Sequence, residues 1–327
     1  MLMRHFLMLK MFLSASATSI CVLAILPFLS SLASTRITTF RTMMTESVGS
    51  KRGVPSLIAG GACLGLGMTL TGSCPGTVFA QIAAGSVTAR WILLGGLIGG
   101  ALYPLLETVP GFLEALSANR KPFQRLTLPQ LLGSKSSLPV ALAVAGAFFS
   151  IVATVEFFSP WKKELANLLP SESASFPMAI PPYLAGMVVG SLQIPLILVV
   201  DAHLGCSSSY VTVVASLLDR VTPALVQRVP LYTSLKKNNW QVYLMTGVMI
   251  GSFTTSTLTG PFMSDKLSIS PVTSMFGGFL LTFGARLAAA CTSGHGISGM
   301  GYLALNSFIA VAAMFAAGMG SAFILYY

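Results

Sequence analysis

Apolar positions along this chain run in long blocks, near residues 11 to 33, 55 to 73, 91 to 109, 138 to 158, 181 to 200, 240 to 260, 272 to 290 and 303 to 326. Each is close to the ~20 residues an α-helix needs to cross a ~30 Å hydrocarbon core. Shorter apolar pieces near 76 to 86, 207 to 218 and 296 to 303 fall short of that length and read as re-entrant helices. The pattern predicts an all-α integral membrane protein with about eight to nine transmembrane helices, multi-pass, with nothing in it that selects which membrane. Polar seams at 110 to 138 and 159 to 176 bracket the block at 138 to 158.

Composition agrees. The 327 residues are 54% hydrophobic and 9% charged, with a mean hydropathy of +0.79, where a soluble chain has about a quarter of its residues charged. The excess of 19 Lys and Arg over 9 Asp and Glu sits mostly in loops, at Arg36, Arg41, Lys51 and Arg52, at Arg120, Lys121, Arg125 and Lys135, and at Arg228, Lys236 and Lys237. That is where topology signals and contacts with lipid headgroups belong. No basic stripe with interleaved aromatics is present, so nucleic acid is not an expected partner. The run from Met11 to Ala33 is longer than the apolar core of a signal peptide and reads as a retained helix.

Two glycine-rich cysteine stretches interrupt the apolar blocks: GACLGLGMTLTGSCPGT from Gly61 to Thr77 and GGFLLTFGARLAAACTSGHG from Gly277 to Gly296. A constant offset of 217 residues superimposes Gly61 on Gly278, Leu64 on Leu281, Gly67 on Gly284, Leu70 on Leu287 and Cys74 on Cys291. The chain therefore divides into two pseudo-symmetric halves, 1–137 and 138–327, expected to be inverted in the membrane with a substrate site between them. A further cysteine element, DAHLGCSSSY from Asp201 to Tyr210, has a first-half counterpart that would fall before Met1. The first half is thus expected to lack its opening element.

At Gly72-Ser73-Cys74-Pro75-Gly76-Thr77 the glycines and the proline predict that one helix ends near Ser73 and a short one restarts at Pro75. Such a break inside a bilayer must be buried in protein or line a cavity, and a restarting helix directs N–H groups at it, which suits an anion. Cys291-Thr292-Ser293-Gly294-His295-Gly296 repeats the logic with two hydroxyls, an imidazole and glycines that let backbone approach a ligand. Arg286, at membrane depth, either attracts an anion or clamps loop carbonyls. Gly205-Cys206-Ser207-Ser208-Ser209 reads as a third helix start. The candidate substrate-binding set is therefore Cys74, Cys206, Cys291, Thr77, Thr292, Ser293, His295 and Arg286.

Other chemistry fits less well. Cys21 lacks polar company and reads as packing; Cys63 lies about three turns before Cys74 on one helix face. Five cysteines inside apolar segments do not form a disulfide framework. Without a CxxC, Cys291 and His295 supply only two ligands, so no metal and no other cofactor is expected. No Walker-type phosphate loop is present. A membrane thiol enzyme handling persulfide, or a channel for another small solute, remains open beside an anion transporter.

FGARLAAACTSGHGISGM, from Phe283 to Met300, closely resembles the signature of the YeeE/YedE-like sulfur transport family. GLGMTLTGSCPGT is similar to its equivalent in the other half, and HLGCSSSY and MLKMFLSASAT resemble the elements between. The resemblance implies an all-helical membrane transporter without catalysis of its own, carrying thiosulfate or a related small sulfur-containing anion past pathway cysteines, with a sulfur-accepting protein as a potential partner. By motif, Cys74 and Cys291 match the two central cysteines and Cys206 the one that opens the second half, while the family's first cysteine element has no match. The proline after Cys74 implies a substrate preference of its own.

Overall fold

In the computed structural model, residues 6–51, 53–112, 127–134, 136–168, 180–259, 269–289 and 291–326 are described. Among them there is no strand, and six helices are long and apolar enough to cross a membrane: Leu7–Leu29, Val54–Thr71, Val87–Glu107, Ser137–Phe158, Pro182–Val200 and Leu305–Leu325. A seventh span results if the Pro271–Leu287 helix and the short π-helix Thr292–Gly299 are one broken crossing. The block at 240 to 260 also forms a helix, Trp240–Thr259. It has spanning length but carries Gln241, Thr246, Ser252 and the hydroxyl run from Thr254 to Thr257, which dilute its apolar character. Two of the short apolar pieces form helices too short to cross, Thr77–Ala83 with 7 residues and Ser208–Val221 with 14. Large side chains such as Phe28, Phe157, Phe158, Leu258 and Ile324 are exposed, as lipid contact requires of a multi-pass membrane protein.

The chain forms two compact units. The first comprises Met1–Ser50, Lys121–Leu204 and Gly294–Phe308. Its centre is the Leu7–Leu29 helix, whose serine-rich face is buried at Ser14, Ser16 and Ser19 because small residues there meet small residues opposite. A methyl group on Gly186 would strike Ser14 and the Met11 carbonyl, and one on Gly190 the Ala15 carbonyl. Lys10, fully buried, pairs with Glu156 at 2.8 Å and Glu164 at 3.5 Å and donates to the Ser159 carbonyl. Ser159 Oγ donates to Glu164 at 2.5 Å, completing a polar knot where the Ser137–Phe158 helix ends.

The second unit comprises Lys51–Arg120, Gly205–Ser293 and Ile309–Tyr327. Here the two repeated helices, Val54–Thr71 and Pro271–Leu287, pack directly on one another through glycine. A Cβ on Gly284 would lie 2.6 Å from Leu64 N and 2.7 Å from the Gly60 carbonyl; one on Gly67 would lie 2.8 Å from both Leu281 N and the Gly277 carbonyl. The 217-residue offset carries Gly67 to Gly284, Leu64 to Leu281 and Gly60 to Gly277, so it exchanges one set of contacts for the other. A contact that maps onto itself under exchange of partners is what a two-fold relation between the helices produces. Gly99 of the Val87–Glu107 helix approaches the Phe279 carbonyl in the same manner, 2.7 Å from an added Cβ.

Gly67→Ala and Gly284→Ala should each destabilise the protein by about 1–3 kcal/mol, the cost of overpacking a close contact, and by similar amounts because their surroundings are equivalent. Gly247→Ala and Gly251→Ala, where an added Cβ meets nothing within 4 Å, should leave stability unchanged or raise it. Thermal melts in detergent check both.

Candidate functional site

The first break begins at Gly72, which ends the Val54–Thr71 helix in the left-handed conformation at φ 63°, a geometry that favours glycine. Its N–H donates to the Met68 carbonyl at 2.8 Å. Ser73 is fixed on both sides: its N–H donates to Thr71 Oγ1 at 3.2 Å and its hydroxyl to Gln81 Oε1 at 2.6 Å. Pro75 and Gly76 form a turn, and the short helix starts at Thr77, two residues later than the proline predicts. The later start has a physical cause. Thr77 Oγ1 accepts the Cys74 N–H at 2.8 Å, lies 3.1 Å from the Cys74 carbonyl and 3.4 Å from Cys74 Sγ, so one hydroxyl closes the loop around the thiol.

Cys206 lies just ahead of the Ser208–Val221 helix, and that helix is anchored on the first break. Tyr210, 1% exposed, donates its hydroxyl to the Pro75 carbonyl at 2.9 Å, and its ring meets Phe79 edge-on at 5.1 Å. Gly96 and Gly100 open a slot for that ring. Cys206 itself rests against Gly76.

The second break follows the Pro271–Leu287 helix. Ala289 takes a positive φ of 74°, rare for a residue with a side chain, and turns the chain toward Cys291. Ser293 then links two cysteine elements: its Oγ accepts the Cys206 N–H at 3.2 Å and lies 3.1 Å from Cys291 Sγ. Arg286, 7% exposed, donates to the Ser207 and Ser208 hydroxyls. The guanidinium thus meets side-chain oxygens at a helix start. Thr292 is buried beside Ser293. Within this unit Ser293 thus joins the Cys206 and Cys291 elements, and Tyr210 joins the Cys206 helix to the Cys74 turn.

His295 follows Ser293 by two residues. It belongs to the first unit, where its Nδ1 is 3.0 Å from Ser307 Oγ. Gly296, one of the glycines read as room for a ligand, is packed by the Phe12 ring, and its carbonyl accepts the Ser16 hydroxyl at 3.0 Å. Cys21 and Cys63 are half-buried on their helices. Among the described residues no group of three His, Cys, Asp or Glu is placed to hold a metal. Tyr210, Ser207, Ser208 and Gln81 build the site but were absent from the candidate set. Tyr210 had a signal, being an aromatic residue in the first turn of the helix that follows Cys206.

Broken helices lined with thiols and hydroxyls, within a bundle of spanning helices, define an integral membrane protein of the transporter type. The sequence matches the family described as Sulphur transport over residues 1–320, and the chain belongs to that family. It is similar to the Thiosulfate transporter TsuA of Spirochaeta thermophila, 26% identical over 270 residues that make up 77% of this chain and 72% of that protein. It is also similar to a Probable transporter of Xylella fastidiosa, 28% identical over 141 residues, 43% of this chain and 90% of that protein.

Arg286→Lys keeps the charge but loses the planar fork that reaches two hydroxyls. It should lower thermal stability nearly as much as Arg286→Met and raise the maleimide reactivity of Cys206. Stability and reactivity like those of the unaltered protein in the lysine variant would mean that charge alone matters.

Proposed function

We propose that this chain carries thiosulfate, or a closely related sulfur-containing anion, across the membrane by passing it between Cys74, Cys206 and Cys291. The observation that carries the reading is the gathering of three helix breaks, each bearing a cysteine, around Tyr210 and Ser293. Thiosulfate has a soft terminal sulfur and hard oxygens. A neutral thiol offers an S–H to the sulfur, hydroxyls and helix N-termini suit the oxygens, and thiolates would repel the anion. Several weak sites in series suit passage, since binding must be strong enough to admit the ion and weak enough to release it. Thr77, Thr292 and Ser293 supply hydroxyls, and Arg286 holds the Cys206 element. The halves 1–137 and 138–327 each contribute one of the two central cysteines, the protein performs no covalent chemistry on its cargo, and a protein that takes up the sulfur is its natural partner.

The test is uptake of radiolabelled thiosulfate into proteoliposomes. Cys74→Ala and Cys291→Ala should each cut uptake by about tenfold, the scale of one lost hydrogen bond in a low-dielectric path. A pore for another solute would keep its flux in these variants. A persulfide-handling enzyme would instead form a covalent sulfur adduct on the unaltered protein, visible by mass spectrometry and lost with the cysteine.

A further inference from the structure

Gly76 does not owe its identity to backbone conformation. Its φ of −78° and ψ of −40° lie in the ordinary right-handed helical region, unlike Gly72 at φ 63°. An alanine would fit that backbone and, by restricting the unfolded chain, would favour folding. What it would meet is the Cys206 side chain: an added Cβ would stand 3.1 Å from Cys206 Sγ and 3.3 Å from Cys206 Cβ, with no other atom within 4 Å beyond its own neighbours. Both contacts are tighter than carbon and sulfur accept at rest.

Neither backbone at this contact can retreat cheaply, whereas the thiol can turn. On one side the carbonyl of the adjacent Pro75 holds the buried Tyr210 hydroxyl at 2.9 Å. On the other the Cys206 N–H is bonded to Ser293 at 3.2 Å, and the Cys206 carbonyl accepts the Ser209 hydroxyl at 2.7 Å. The strain of an added methyl would therefore fall on the thiol, turning or displacing its sulfur.

We propose that Gly76 is a specificity-determining residue: by lacking a side chain it sets how closely the Cys206 sulfur approaches the Cys74 turn, and so which anions pass between the two thiols. The inference rests on the transport reading above. A passing ion that exchanges one weak S–H contact for the next depends on the spacing of successive sulfurs, and a shift of a few tenths of an ångström weakens such contacts well before it unfolds anything.

The experiment pairs thermal melts and thiosulfate uptake in proteoliposomes for the unaltered protein, Gly76→Ala, Cys206→Ala and the double variant. Gly76→Ala should melt at or above the unaltered protein yet take up thiosulfate about three- to tenfold more slowly at limiting concentration, the worth of one weakened hydrogen bond. In the Cys206→Ala background the same change should cost uptake nothing further, because the sulfur whose position it shifts is gone. In a second arm, with Cys21, Cys63 and Cys291 replaced by Ser, thiol-specific cross-linkers of graded length should join Cys74 to Cys206, and Gly76→Ala should change which length reacts fastest. Unchanged uptake in Gly76→Ala, an equal loss with and without Cys206, or an unchanged cross-linker preference overturns the proposal. If the unaltered protein moves no thiosulfate, the transport reading falls on its own, and the cross-linking arm still decides whether Gly76 sets the spacing.

Discussion

A helix that stops inside a bilayer leaves amides and carbonyls with no water to meet them, so every break must be repaired by protein atoms. The whole second unit is organised by that constraint. Thr77 takes up the Cys74 amide, Ser293 the Cys206 amide, and Tyr210 the Pro75 carbonyl. Each repair is made by a hydroxyl adjoining a cysteine element, so the groups that make the breaks tolerable also hold the thiols in place. Structural repair and the candidate chemistry are the same set of bonds.

The breaks need a rigid frame, and glycine supplies it. Gly60, Gly67, Gly277 and Gly284 let the Val54–Thr71 and Pro271–Leu287 helices approach to backbone contact, where dispersion rather than the hydrophobic effect must hold membrane helices together. The helices leading to Cys74 and Cys291 are therefore held against one another by contacts that exchange under the 217-residue offset.

Much of this was legible in the chain. Glycine, proline and hydroxyl runs mark where a helix cannot continue, so the three breaks and the short helices after Cys74 and Cys206 could be read from local chemistry. The repeat offset superimposes the glycines of the seam, although it does not say that the two helices carrying them touch. What stayed hidden is pairing at long range. Tyr210 and Pro75 are 135 residues apart, and Arg286 and Ser207 79; no local pattern names such partners. Gly296 shows the opposite error, because a glycine beside a histidine looks the same whether a ligand or the Phe12 ring fills the space. The serine-rich face of the Leu7–Leu29 helix likewise reads as polar until Gly186 and Gly190 are seen to receive it.

Lys10 carries a consequence for biosynthesis. The ammonium group is fully buried, and Glu164, one of the two carboxylates it meets, lies 154 residues further along the chain. A ribosome delivers the N-terminal helix to the translocon long before that carboxylate exists. The bonds seen around the ammonium can therefore be completed only after the segment through Glu164 has been made, and burial of Lys10 before then would leave a charge without its partners.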